Sequence, residues 1–376
     1  MFKTIFSYAF RPFYLAASLY VIAIILLWYP FGYEGNQNYP SLFWHGHEMI
    51  YGFAGAVIVG FLLTAVSNWT NRPPTSGFPL LLLLILWVFA RITVYLPLNQ
   101  MVIVSMVFDS SFYLLSAFFI FRSLIQAKNR ANLLVPIALL LFAGSNVLLT
   151  MALLGKITLS LLSIMQIGIL GVVAFIGLIG SRVIPFFTSI TLQKQNQFSK
   201  RYTMIAFITP LLMMLAMSFN LYPLLVFCLG ATFAINNLWQ LYRWFDLNIL
   251  AHPLLWVLHV SFLFMAIGVF IMSYAYAFNL LYLPLGTHII AIASIALIIQ
   301  GMMSRTALGH TGRQMVLPKK MRIAFLLIII SAIIRAIASF YPGDYWLLTM
   351  SSISFAIAFM IFLFYYLPIL IGPSRS

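Results

Sequence analysis

The stretch from His45 to Ser67 reads HGHEMIYGFAGAVIVGFLLTAVS. Beyond Glu48 it contains no Asp, Glu, Lys, Arg or His. A helix rises about 1.5 Å per residue, so a segment of this length is long enough to cross the roughly 30 Å hydrocarbon core of a bilayer. A strand of a membrane barrel would be shorter and would alternate apolar with polar residues. The stretch therefore predicts a transmembrane helix.

Similar apolar segments recur along the whole chain. Hydrophobic residues make up 64 % of the sequence and charged residues 7 %, whereas soluble domains carry about 25 % charged residues. The sequence predicts an all-α, polytopic integral membrane protein with about twelve transmembrane helices, forming a single domain over residues 1–376. The predicted helices cover residues 13–29, 45–67, 78–97, 100–122, 132–154, 157–180, 202–219, 222–242, 253–277, 283–304, 322–340 and 345–370.

The basic residues follow the connections between these segments. The chain has 20 Lys and Arg against 5 Asp and Glu, for a net charge of +15. When alternate connections are assigned to opposite sides, seventeen of the basic residues fall on the side of the N-terminus and Lys156 alone on the other. The positive-inside rule then places both termini in the cytoplasm. Because topology accounts for the charge, we expect the lipid bilayer, and not nucleic acid, as the partner.

Ionisable residues inside the predicted helices are rare, and such residues usually face the protein interior. Most of them lie in the outer half of the membrane, no more than about 14 Å from the outer ends of their helices. His259 stands apart, about 13 Å deeper than His288 across a 30 Å core. This separation predicts two sites, or one site and one structural histidine. The outer-half residues are His45, His47, Glu48, Arg91, His288 and Arg335, with Asp109 just below them.

Histidine with arginine in a dry setting suits a metal centre. Imidazole binds iron and copper and is a common axial ligand of haem, whose propionates pair well with arginine. We therefore expect His45, His47 and His288 at an outer site, with Arg91 and Arg335 as propionate partners, and His259 at a second, deeper site. His45 and His47 point to opposite sides of a regular helix, so they can share a metal only if the helix begins between them.

Simpler interpretations stay open for the same residues. His259 can be a hydrogen-bonded packing residue, and Arg91 with Asp109 can be a structural ion pair. The single cysteine, Cys228, excludes an internal disulfide and a thiolate cluster.

Two further patterns concern the predicted inner loops and an internal echo. The stretches 182–188 and 305–313 are expected in inner loops, where the second, with Arg305, His310 and Arg313, suits an anion-binding nest or a basic membrane anchor. Two series of residues follow a histidine at the same offsets of 13, 23 and 25 residues. The match is either an old repeat or a coincidence. The series are His47, Gly60, Thr70, Arg72 and His288, Gly301, Thr311, Arg313.

Several unusual strings run from one end of the chain to the other and resemble the NnrS family of bacterial membrane proteins. They are Phe10-Arg11-Pro12-Phe13, Trp44-His45-Gly46-His47-Glu48-Met49, Gly60-Phe61-Leu62-Leu63-Thr64-Ala65, Asn68-Trp69-Thr70, Arg182-Val183-Ile184-Pro185-Phe186-Phe187-Thr188 and Ala307-Leu308-Gly309-His310-Thr311-Gly312-Arg313. Ser67 departs from the pattern, which has proline before Asn68. That difference concerns a helix end and not a ligand.

The resemblance implies a haem- and copper-containing protein of the bacterial cytoplasmic membrane that protects cells from nitric oxide. It marks His45, His47, Glu48, Arg182, His310 and Arg313 as motif positions, and His259 and His288 as family-type histidines. Whether the protein is catalytic stays open. A redox activity on nitric oxide would need electrons from quinone or a membrane partner, because the sequence predicts no soluble domain.

Two other classes of function are compatible with the sequence. A secondary transporter of a small anion, a metal or haem would use the buried Arg91, Asp109 and Arg335. A membrane scaffold would bind partners through its basic inner loops.

Overall fold

A computed structural model of the chain describes residues 2–280 and 283–375. Within these residues the regular structure is helical, and no strand forms apart from a single bridge between Gly35 and Pro40. Twelve long helices coincide with the twelve predicted segments, which confirms the all-α, polytopic membrane architecture. They are α1 Phe10–Trp28, α2 Ser41–Thr70, α3 Phe78–Val94, α4 Met101–Gln126, α5 Leu134–Leu153, α6 Leu161–Leu192, α7 Lys200–Ser218, α8 Pro223–Trp244, α9 Pro253–Ala277, α10 Pro284–Gly309, α11 Met321–Ala338 and α12 Tyr345–Ile371.

Eleven of these helices have at least 18 residues and the hydropathy of membrane spans, while α3 has 17 residues and is equally apolar in character. Two predicted boundaries are wrong. Helix α6 continues to Leu192 and α10 to Gly309, so Arg182 and Arg305 lie on helices and not in loops. The sequence predicts that both helices end before these arginines, but a long arginine stem packs along apolar surface while its charged head reaches a polar region.

Helices α2 and α10 are each interrupted by a π-helical segment. In α2 it covers Glu48–Ala54, and in α10 it covers Ile289–Ala296. Each segment begins immediately after a histidine, His47 in α2 and His288 in α10. A π-segment is rare and often marks a functional site, because the widened turn changes the direction of the side chains that follow.

The chain forms two compact units, which we describe separately. Unit 1 contains Met1–Gly168, Met303–Val316 and Phe359–Ser376, and unit 2 contains Ile169–Met302 and Leu317–Ala358. In unit 1, α1 packs against α2, and α3, α4 and α5 pack in sequence. In unit 2, α7 packs against α8, α8 against α9, and α9 against α10. The prediction of a single domain over 1–376 stays a prediction.

Candidate functional site

A buried cluster of charged side chains forms in unit 1, where α2, α3 and α4 meet. Arg91 of α3 lies between two carboxylates: its Nε is 2.9 Å from Glu48 Oε2, and its Nη2 is 2.5 Å from Asp109 Oδ2. Glu48 and Asp109 are fully buried, and Arg91 is 4 % exposed. Charges removed from water to this degree are stable only when they are paired, so the three residues depend on one another.

His47 joins this cluster through both ring nitrogens. Its Nδ1 is 2.6 Å from Glu48 Oε1, and its Nε2 is 3.1 Å from Asn146 Oδ1 and 3.4 Å from Asp109 Oδ2. The imidazole therefore lies between the two carboxylates that hold Arg91. The predicted structural pairing of Arg91 with Asp109 is present, and it extends to Glu48 and His47.

Tyrosine and amide side chains complete the surroundings of the cluster. Tyr20 of α1 donates its hydroxyl to Glu48 Oε2. Tyr51, one turn beyond His47, is hydrogen-bonded to Ser145 of α5 at 2.9 Å, next to Asn146. Sequence reasoning missed Tyr20 and Asn146. The available signal was their polarity inside predicted apolar segments, but polarity alone does not tell which way a helix turns a side chain.

Gly52, inside the π-segment of α2, makes the space that the cluster occupies. A Cβ at this position would lie 2.9 Å from both Arg91 Nη1 and Glu48 Oε2. Trp87 of α3 also donates its indole N–H to the Gly52 carbonyl at 2.9 Å. The absence of a side chain here lets α2 and α3 approach closely enough for the ion pairs to form.

His45 lies on the same helix but points to a different neighbour. Its ring stacks on Trp28 of α1, with 3.3 Å between the ring centroids and 20° between the planes. Helix α2 begins at Ser41, before both histidines. The condition for His45 and His47 to share one metal, a helix start between them, is therefore not met.

The two remaining intramembrane histidines lie in unit 2, and both bond to the carbonyl one turn before them. His259 Nδ1 is 3.0 Å from Leu255 O, and His288 Nδ1 is 2.8 Å from Pro284 O. The Nε2 of His259 is 3.5 Å from the Thr188 hydroxyl, which α6 contributes. These short Nδ1 contacts to carbonyl oxygens require the proton on Nδ1, so Nε2 carries the lone pair in both rings.

Arg335 of α11, the second predicted propionate partner, lies close enough to His288 to act on it electrostatically. Unit 2 therefore has one cation, Arg335, near the imidazole of His288. Among residues 2–280 and 283–375, no group of three or more His, Cys, Asp or Glu side chains is arranged around a single ion.

The motif residues on the predicted cytoplasmic side are also brought together in part. In unit 1, the ring of His310 packs against Tyr8 and Phe10, with centroid distances of 5.6 and 5.9 Å. Two of the strings that carry the family resemblance thus meet here. Arg305 is buried near the end of α10, and Arg182 belongs to unit 2.

No curated protein matches the chain. The family model described as NnrS protein matches residues 4–374, nearly the whole sequence. The chain therefore belongs to the NnrS family, membrane proteins of the nitric oxide response.

Proposed function

We propose that this protein binds haem and copper in the bacterial cytoplasmic membrane and protects the cell against nitrosative stress. It would do so by binding, sensing or turning over nitric oxide, or by protecting cellular iron from it. Family membership and the state of the intramembrane histidines support the proposal.

The observation that carries the proposal is shared by His47, His259 and His288. In each ring an acceptor lies 2.6–3.0 Å from Nδ1: the Glu48 carboxylate, the Leu255 carbonyl and the Pro284 carbonyl. A histidine that binds a metal almost always donates its other N–H to a carboxylate or a backbone carbonyl, which fixes the tautomer and the ring orientation. Nε2 is then the ligand atom of His259 and His288, whereas His47 Nε2 faces the acceptors Asn146 Oδ1 and Asp109 Oδ2 and would have to lose its proton to bind a metal.

His288 and His259 fit this role most directly, because neither ring contacts a carboxylate among the described residues. We assign His288 as a haem ligand, and Arg335 would pair with a propionate of that haem. His259 would serve a separate site, for which imidazole suits copper as well as iron. A bound haem supplies an iron that coordinates nitric oxide, an apolar molecule that reaches it through lipid.

His47 and His45 would take part differently. A metal at His47 Nε2 would replace the 3.1 Å contact to Asn146. Arg91 then contributes by holding Glu48, which orients His47, and not by pairing with a propionate. His45, stacked on Trp28, is a further ligand candidate near the outer surface. Reductive turnover would draw electrons from quinone or a membrane partner.

The transporter alternative needs Arg91 or Asp109 to meet a substrate. In unit 1 these residues already pair with each other, and Arg91 also pairs with Glu48. We therefore favour metal binding.

Metal analysis and an absorption spectrum of the purified protein test the proposal. We expect a haem Soret band, bound copper and a spectral shift on addition of nitric oxide. A protein purified from haem- and copper-replete cells that has neither metal would refute the proposal.

Single variants then test the ligands. We expect His288→Ala to lose haem and His259→Ala to lose the metal of the second site. His252→Ala is the matched control, because His252 is an exposed histidine just before α9 and makes no side-chain cap bond. Unchanged metal content in His288→Ala, in protein that stays monodisperse, would remove His288 as a ligand.

A further inference from the structure

The echo between two parts of the sequence extends to the backbone. His47 and His288 are each followed directly by a π-segment, and Gly60 and Gly301 follow 13 residues after the histidines. Thr70 and Thr311 both donate their hydroxyls to the carbonyl four residues earlier, at 2.7 and 2.6 Å. The next residues, Asn71 and Gly312, both have positive φ angles of 50° and 67°. Arg72 and Arg313 come next.

The helices around these positions recur in the same order. Helices α1 to α4 start at Phe10, Ser41, Phe78 and Met101, and α9 to α12 start at Pro253, Pro284, Met321 and Tyr345. The helix starts recur at nearly the same spacing as the histidines. Helices α1–α4 and α9–α12 are therefore two copies of one four-helix repeat, and Arg72 and Arg313 are equivalent residues.

These equivalent arginines have different partners. Arg72 closes its repeat by donating to Gln126, at the end of α4: Nη1 bonds to Oε1 at 2.9 Å and Nη2 to the carbonyl at 3.0 Å. By equivalence, Arg313 would bond to the end of α12. Arg11 takes that place instead and donates to Ile369 O, Leu370 O and Gly372 O at 3.2, 2.8 and 2.7 Å.

Arg313 is thereby left beside other cations. Among the described residues, its Nη1 donates to the Thr311 carbonyl alone, at 3.4 Å, and the backbone N–H of Arg375 donates to the same carbonyl at 2.9 Å. Arg313 and Arg11 lie close enough to repel each other. Burial and the charge of Arg375 lower the pKa of Arg313.

Within the described part of the chain, no carboxylate pairs with these arginines. Glu48 and Asp109 are held by Arg91, and Asp246 pairs with Lys194. Gly312 also keeps the tail close, because a Cβ there would lie 2.3 Å from the Arg375 carbonyl. Clustered like charges are unfavourable unless an anion neutralises them.

We propose that Arg313 and Arg375, supported by Arg11, form an anion site for a phosphate group at the cytoplasmic surface of unit 1. The guanidinium group matches phosphate geometry through two parallel hydrogen bonds. The positive-inside pattern places this site at the level of the cytoplasmic headgroups, where each Lys or Arg near an anionic surface contributes about 1 kcal/mol. The phosphate of an anionic phospholipid is the expected occupant. This site is independent of metal binding.

Thermal unfolding of the full-length protein in detergent tests the site. We add phosphatidylglycerol, phosphatidylcholine or inorganic phosphate and measure the shift of the unfolding midpoint. We expect phosphatidylglycerol to raise the midpoint more than phosphatidylcholine does, and the double variant Arg313→Gln, Arg375→Gln to lose most of that difference. Arg130→Gln is the matched control, because Arg130 is exposed on the same side of unit 1 and pairs with no acid among residues 2–280 and 283–375.

The variants also separate the outcomes. A midpoint shift with inorganic phosphate but not with phosphatidylglycerol would support the site with a free anion as its occupant. Equal losses in the double variant and in Arg130→Gln, or no response to either phosphate source, would overturn the proposal. If the double variant does not fold, Arg375→Gln alone changes only the exposed tail side chain, and native mass spectrometry should show less retained phosphatidylglycerol.

Discussion

Neutralising Asp109 is the sharpest test of the buried cluster. In Asp109→Asn, Arg91 loses the carboxylate 2.5 Å from its Nη2 and keeps Glu48 as its counter-charge. Charge centres about 4 Å apart interact with about 4 kcal/mol at an effective dielectric constant of 20. Breaking a buried pair typically costs about 3–5 kcal/mol, because the remaining charge is uncompensated. We expect Asp109→Asn to lower the free energy of unfolding by that amount.

A double-mutant cycle separates pairing from other effects. Arg91→Met alone leaves Glu48 and Asp109 facing each other without a cation, so we expect a loss of similar size. The double variant removes both partners of one pair, and we expect its loss to be smaller than the sum by about 1–3 kcal/mol. Unfolding in mixed micelles with increasing sodium dodecyl sulfate measures each value. Glu34→Gln, which neutralises an exposed acid, should stay within about 0.5 kcal/mol of the wild type. Additive losses, or an unchanged Asp109→Asn, would refute the pairing.

Further predictions concern helix packing and the cytoplasmic face. Gly177→Ala should lower the free energy of unfolding by about 1–3 kcal/mol, because the new Cβ would lie 2.2 Å from the Ala206 carbonyl oxygen. Gly144→Ala is the control and should be nearly neutral in the same unfolding assay, because no atom lies within 4 Å of the new Cβ. Burial lowers the pKa of His310 in the folded protein. As the pH falls, the histidine is therefore protonated in the unfolded chain before it is protonated in the folded protein. The free energy of unfolding should decrease as the pH drops through about 6.5, the pKa of histidine in the unfolded chain. His310→Gln should show a smaller loss between pH 7.5 and 5.5, and an identical pH dependence would contradict burial of the neutral ring.

The helices were predictable because a membrane span is a property of length and hydropathy alone. The helix ends were less so. Charge predicts that α6 ends before Arg182 and α10 before Arg305, although each arginine lies on a helix that runs further. The π-segments after His47 and His288 had no composition signal, since a π-turn depends on how neighbouring helices pack and not on propensity.

The depth of the candidate-site residues in the membrane was predictable, but the direction in which each side chain points was not. Counting residues from the helix ends placed Glu48 and Arg91 in the outer half of the membrane and Asp109 just below them, and the structure joins the three in unit 1. The same count placed His45 beside His47, yet His45 faces Trp28. Depth follows from the rise of 1.5 Å per residue, whereas direction depends on helix rotation, which one sequence does not specify.

The two equivalent histidines of the repeat have different surroundings. His47 is followed by Glu48, and the same position after His288 is Ile289. Helix α3 carries Arg91 and α4 carries Asp109, whereas the positions at the same distance from the starts of α11 and α12 are Ile334 and Ile353. One copy therefore keeps two carboxylates beside its histidine, whereas the ring of His288 has the cation Arg335 nearby and no carboxylate contact among the described residues. A carboxylate on Nδ1 raises the basicity of a ligand histidine more than a carbonyl does. The two copies therefore contain imidazoles of different basicity. The difference is visible in the sequence, where Glu follows one histidine and Ile follows the other.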